Sequence, residues 1–188
     1  MRWIYSFCLT LLIFSCADDR VKEDLRRFQS LTIKVDKEKY LKPSNLFEGE
    51  AGSKSCPPVA RIVYFSRGES CTACYVKGLA RFNEYVHFES EEGIEFIFIM
   101  SPRKEEIART AALLSNCPLE HTVYLDTCNA FLEDNPEFPQ NELFHSFMIN
   151  DEGKVLMVGD PFKNEKMLSL FRNVISKEKE RRKVRKIA

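Results

Sequence analysis

With 188 residues, 44% of them hydrophobic, the chain has apolar material for one domain of ordinary size plus an export segment and tails. Lysine and arginine together number 28 against 28 for aspartate and glutamate, a balance that argues against a nucleic-acid partner. Seven cysteines would suggest metal sites or catalysis in the cytosol and raise the question of disulfides outside it, so the N-terminus decides the context.

Met1-Arg2 is a short basic start, and Trp3 to Phe14 is an almost unbroken apolar run. The run has signal-peptide length and falls short of the roughly 20 residues a bilayer span needs. Ile13-Phe14-Ser15-Cys16, followed by Ala17-Asp18-Asp19, resembles the lipobox of bacterial lipoproteins. That resemblance implies a signal peptide over 1–15 and lipidation of Cys16, whose several acyl chains give stable membrane anchoring. An ordinary secretory signal with Cys16 as an incidental thiol is the other reading, and both export the domain to the cell envelope. The charged stretch Asp18 to Arg27 then reads as a solvated tether or short exposed helix, so 16–30 is assigned to the anchored tether.

Leu31, Ile33 and Val35 alternate with polar residues, predicting an N-terminal strand, and 31–58 reads as that strand plus a loop-like connection from Pro43 to Pro58. Arg61 to Phe65 is a short apolar strand, followed by a turn at Gly68-Glu-Ser70. A helix comes next, with Ser70 as N-cap and Tyr75, Leu79, Phe82 and Val86 along one face. Ile94 to Met100 is too continuously apolar for a half-exposed strand and belongs at the centre of a sheet covered on both faces. Pro102 opens a helix with Ile107, Ala111 and Leu114 on one side. The short strand Thr122 to Leu125, a helical piece from Asn129 to Leu132 and a loop from Asp134 to Asn141 follow. Phe147 to Ile149 and Val155 to Val158 flank the polar turn Asn150-Asp-Glu-Gly-Lys154, predicting a hairpin. A last helix carries Met167, Leu170, Phe171 and Val174 as its stripe. The basic tail 177–188 reads as a solvated helix end, with a membrane-surface contact as the alternative.

Cys71-Thr-Ala-Cys74 places two thiols three residues apart at the first turn of a helix. Exposed backbone N–H groups and the helix dipole favour a thiolate at the leading sulfur, making Cys71 the nucleophile and Cys74 the resolving thiol. The same spacing also serves half a zinc site or a structural disulfide.

The strand before this pair, the helix after it, the central strand and the late hairpin resemble the thioredoxin-like family, over about residues 59–176. The likeness is nearest to envelope thiol-disulfide reductases and thioredoxin-like-domain lipoproteins. His121-Thr-Val-Tyr-Leu-Asp126 looks like that family's Phe-Pro-Val-x-x-Asp stretch, which begins an inserted strand and helix, and Phe147 to Lys154 looks like its Phe-Leu-Ile-Asp-x-x-Gly-Lys hairpin. The resemblance implies an α/β thioredoxin-like fold with a central mixed sheet, flanking helices and the insertion before the closing hairpin. It also implies a substrate-binding loop at Phe144 and His145; the aromatic residues fall mostly at strand and helix-face positions that a core would use, and no cofactor is called for. One departure is that Phe144 stands where the family places a cis-proline, so Leu143 to His145 is expected to run trans.

Three functions follow. The first is a thiol-disulfide oxidoreductase acting on cysteine-containing envelope proteins or a redox partner. The second is a non-catalytic binding or scaffold lipoprotein. The third is a copper metallochaperone in which His145 joins the cysteines, although the family's copper carriers space their cysteines one residue further apart. Cys117 and Cys128 flank the inserted strand and are read either as a disulfide or as buried hydrophobes, and Cys56 stays unassigned in its loop.

Overall fold

The computed structural model describes residues 19–42, 57–68 and 72–187, with side chains to 185. The signal segment, Cys16, the 43–56 connection with Cys56, and the 69–71 turn with Ser70 and Cys71 lie outside the described residues.

Five strands form one mixed sheet in the order β3-β2-β1-β4-β5. β1 (Ala60–Arg67), β2 (Ile94–Ser101) and β3 (Val123–Leu125) run parallel, and β4 (Ser146–Ile149) and β5 (Val155–Val158) are antiparallel neighbours on the other side of β1. Period two sorts the side chains between two cores. Ile62, Tyr64, Phe96, Phe98 and Met148 face one side, where they meet Val76, Leu79, Leu114, Phe171 and Ile175. Val63, Phe65, Ile97, Ile99 and Phe147 face the other, where they meet Phe28, Ile33, Phe131, Phe138 and Phe144. Burial on both faces explains the uninterrupted apolar run of β2.

The first face is covered by α2 (Thr72–Leu79), α3 (His87–Glu92), α4 (Ile107–Ser115) and α6 (Glu165–Ile187), with a 3-10 segment, Ala80–Tyr85, between α2 and α3. The single helix expected through Val86 is therefore two pieces, α2 and the 3-10 segment, and Leu79 and Phe82 are buried as its face requires. On α6 the buried hydrophobic residues are Phe171 and Ile175, whereas Leu170, expected in the stripe, faces solvent. The inserted strand and helix are β3 and α5 (Ala130–Asp134), the latter on the second face. The fold is α/β, a mixed five-stranded sheet with helices on both faces and the strand and helix β3 and α5 before the hairpin.

Two terminal segments differ from expectation. Residues 31–35 alternate in burial but form no strand: the Ile33 N–H donates to the Gly153 carbonyl at 2.8 Å, and Lys34 exchanges hydrogen bonds with the Asn135 side chain. Their backbone partners are a turn and an amide, so period-two packing arises without a ladder. Residues 19–30, whose charged part was read as a solvated tether or short exposed helix, form a helix (α1), and the difference is that its Phe28 is completely buried.

The basic tail continues α6, and its arginines are engaged. Arg181 pairs with the buried carboxylate of Glu178 at 2.7 Å, Arg182 and Arg185 reach Asp151 at 3.3 and 2.5 Å, and Arg185 also pairs with Glu152. Arg182 further donates to the Pro58 carbonyl at 2.7 Å. Single exposed pairs are worth about 0–1 kcal/mol, but this network ties the helix end to the hairpin turn and to the entry of β1.

Candidate functional site

The chain winds from β1 outward to β3 and then returns to lay β4 on the opposite side of β1. The strand order therefore reverses beside the C-terminal end of β1, the position where open α/β sheets leave a crevice. An open cleft of about 590 Å³ lies there, lined by the end of β1, Tyr75 of α2, the start of β4 and the residues after β5.

β1 delivers the chain to this cleft through Gly68. Its N–H donates to the Ser101 carbonyl at 2.8 Å, and a side-chain carbon at this position would lie 2.6 Å from the Arg103 backbone nitrogen. Only glycine lets the turn before Cys71 pass so close to the turn after β2. Beyond it α2 begins at Thr72, and Cys74 sits exposed in its first turn. Cys71 lies outside the described residues.

On the opposite wall, the 3-10 turn Glu142–Phe144 is capped by Asn141, whose side chain accepts from the Leu143 N–H at 3.1 Å. The Phe65 N–H donates to the His145 carbonyl at 2.8 Å, which docks the loop on β1. Leu143 and His145 line the cleft. Phe144, expected in the binding loop, turns instead into the second-face core at 2% exposure, where Phe28 packs against its ring. The peptide bonds of this loop are trans. Leu143, 62% exposed, is the apolar side chain the loop presents, and sequence reading passed over it because its neighbour is the larger hydrophobe.

The floor carries Asp160, also unforeseen. The Tyr64 hydroxyl donates to it at 3.0 Å, Arg81 at 3.1 Å and the Phe162 N–H at 2.9 Å. Burial, and then the adjacent Asp160 carboxylate, push the Tyr64 phenol well above its ordinary value. Burial raises Tyr75 likewise. Both phenols are therefore neutral hydrogen-bonding groups at physiological pH. The turn Gly159-Asp-Pro161, where Gly159 has φ +98°, was the available signal for this part of the wall.

The remaining candidates separate. Cys117 and Cys128 are both free thiols: the Cys117 thiol donates to the Val76 carbonyl of α2 at 3.4 Å, and Cys128 is exposed beyond the far end of β3. The disulfide alternative is thereby excluded, and of the two only Cys117 is partly buried. Asp126, buried, accepts from the N–H groups of Ala130 and Phe131 at 2.8 and 2.9 Å and so caps α5. Among the described residues no three His, Cys, Asp or Glu side chains assemble into a group that could hold a metal ion. Among the described residues, too, no helix is long and apolar enough to cross a membrane.

No protein-family model matches the sequence, and no curated protein matches it. Among solved structures, a protein of Chlorobium tepidum described as a thiol:disulfide interchange protein, DsbE, is 17% identical, covering 62% of this chain and 79% of its own with a TM-score of 0.41. A thioredoxin-like protein in its oxidised form is 14% identical over 78% of this chain and 88% of its own, with a TM-score of 0.45. A thioredoxin-like protein of Porphyromonas gingivalis is 16% identical over 64% and 76%, with a TM-score of 0.41. The chain's neighbours among solved structures are thus thioredoxin-like proteins, a thiol:disulfide interchange protein among them.

Proposed function

We propose that this is a lipid-anchored thiol-disulfide oxidoreductase of the cell envelope, reacting through Cys71 and Cys74 and held to the membrane by Cys16. The observation that carries the reading is the position of Cys74, exposed in the first turn of α2 and next in the chain to Tyr75, which lines the open cleft at the switch in strand order. A thiolate at the start of α2 is favoured by unsatisfied N–H groups and the helix dipole.

In the exchange, the Cys71 thiolate attacks one sulfur of a partner disulfide, forming a mixed disulfide and releasing the other partner sulfur as a thiolate. Cys74, deprotonated, then attacks Cys71, forming the Cys71–Cys74 disulfide and releasing the second partner thiolate, so the partner is reduced as the pair is oxidised. The reverse sequence oxidises a dithiol. Leu143 and His145 supply the wall against which a partner polypeptide lies.

The binding-module reading keeps one specific observation in its favour. The loop opposite the cysteines buries Phe144 and presents Leu143, a surface suited to holding a partner without exchange. Equilibrating the exported domain against glutathione or dithiothreitol buffers and trapping free thiols separates the two. A reversible couple between about −120 and −270 mV supports exchange and gives its direction, whereas a potential below about −300 mV identifies a structural disulfide and the binding module.

A further inference from the structure

We propose that α1, the helix next to the membrane anchor, is a positioning element of the exchange site, acting through Phe28 on the loop that carries Leu143 and His145. The proposal rests on reading Cys71 and Cys74 as the reacting pair.

A helix that served only as a spacer would be polar on every side. α1 instead buries Phe28 completely, and its ring meets Phe138, Phe144 and Phe147 edge-on with centroids 5.4, 5.9 and 5.3 Å away. Two of these partners bracket His145: Phe144 ends the 3-10 turn, and Phe147 lies in β4. The third, Phe138, packs on the His145 ring itself at 5.6 Å, and Phe65 of β1, in contact with Phe138, meets that ring at 5.4 Å. Arg27 adds an ion pair to Glu137 at 3.0 Å, holding α1 to the segment that leads into the loop. Phe28 is thus the seat that keeps Phe144 turned inward, and Phe144 turned inward is what leaves Leu143 and His145 facing the cleft. Only Ala17 and Asp18 separate Cys16 from the described start of α1, so an anchor at Cys16 pulls on the loop's support rather than on a slack leash.

The test uses the exported chain with α1 intact and compares Phe28→Ala, Phe28→Leu and a control, Ile175→Ala, whose side chain is buried on the opposite face. Two readouts are taken where circular dichroism shows the fold intact: the rate of exchange with a disulfide-bonded model peptide, and the ring resonances of the three histidines by NMR. The expected result for Phe28→Ala is a rate lowered about tenfold together with a shift confined to His145, with Phe28→Leu restoring most of both. Ile175→Ala should lower stability and leave both readouts in place. A folded Phe28→Ala with the parent rate and unshifted His145 resonances would overturn the proposal. If Phe28→Ala does not fold, Phe144→Leu probes the same contact from the loop side and must move both readouts. If the parent itself shows no exchange, the oxidoreductase reading fails, while the His145 shift still decides whether α1 sets the loop.

Discussion

Two glycines within a few residues of the cysteines should respond to the same substitution with opposite signs. At Gly68 an added methyl would sit 2.6 Å from the Arg103 nitrogen and 3.0 Å from the Pro102 carbonyl carbon, both backbone atoms that cannot swing aside. Overpacking of this kind costs about 1–3 kcal/mol, offset by about 0.4–1 kcal/mol from the stiffer unfolded chain. Gly68→Ala should therefore lose about 1.5 kcal/mol, or about 3–6 °C in Tm for a domain of this size. It should also slow exchange at Cys71, because the displaced turn is the one that delivers that residue. Gly78, inside α2, has nothing within 4 Å of the corresponding position. Gly78→Ala removes a helix-interior penalty and should gain about 0.5–1 kcal/mol without changing exchange. Urea unfolding of both variants, with exchange rates measured in parallel, checks the pair. A Gly68→Ala protein as stable as the parent would refute the close approach of the two turns on which the site's geometry depends.

Replacing Asp126 with alanine should cost about 3 kcal/mol in urea unfolding, since it strands two N–H donors of a helix too short to persist alone. Faster amide exchange at Ala130 and Phe131 would localise the loss. Cys74→Ser should trap a mixed disulfide on Cys71, recoverable from envelope extracts and released by reductant, and recovery of no linked species would count against exchange. Stability should fall as pH rises past about 10: the phenols of Tyr64 and Tyr75 are raised in the fold, so the unfolded chain ionises first. Absorbance titration should show these tyrosines ionising only with unfolding. At the acid end, burial pushes Asp151 up but the Arg185, Arg182 and Arg181 guanidinium groups prevail and hold its carboxyl below the usual range. Its contribution is present above pH about 4 and is lost as pH falls through the lowered value, so Asp151→Asn should flatten that part of the stability profile.

The contiguous apolar run of β2 and the alternation across the hairpin were legible because each is set by a strand's own period. The two faces of each strand are decided residue by residue, and a turn such as Asn150 to Lys154 declares itself through Gly153 and the amide that caps it. The Cys71-Thr-Ala-Cys74 spacing was legible for the same reason, its partners being neighbours in the chain. Leu31 to Val35 shows the limit of that local logic: the alternation was real, yet whether it becomes a strand depends on which backbone lies alongside, and here the partners are the carbonyl of Gly153 in a turn and the side-chain amide of Asn135.

The chain by itself determined the order of the elements from β1 to α6 and the place of Cys74 in the first turn of a helix. Only the tertiary structure decided that Phe144 faces inward and Leu143 outward, that Asp160 is held by Tyr64 and Arg81, and that Phe28 of α1 supports the loop. The reason is physical: a large hydrophobe is buried wherever enough apolar surface converges on it, and the surface that buries Phe144 comes from a helix more than a hundred residues earlier in the chain.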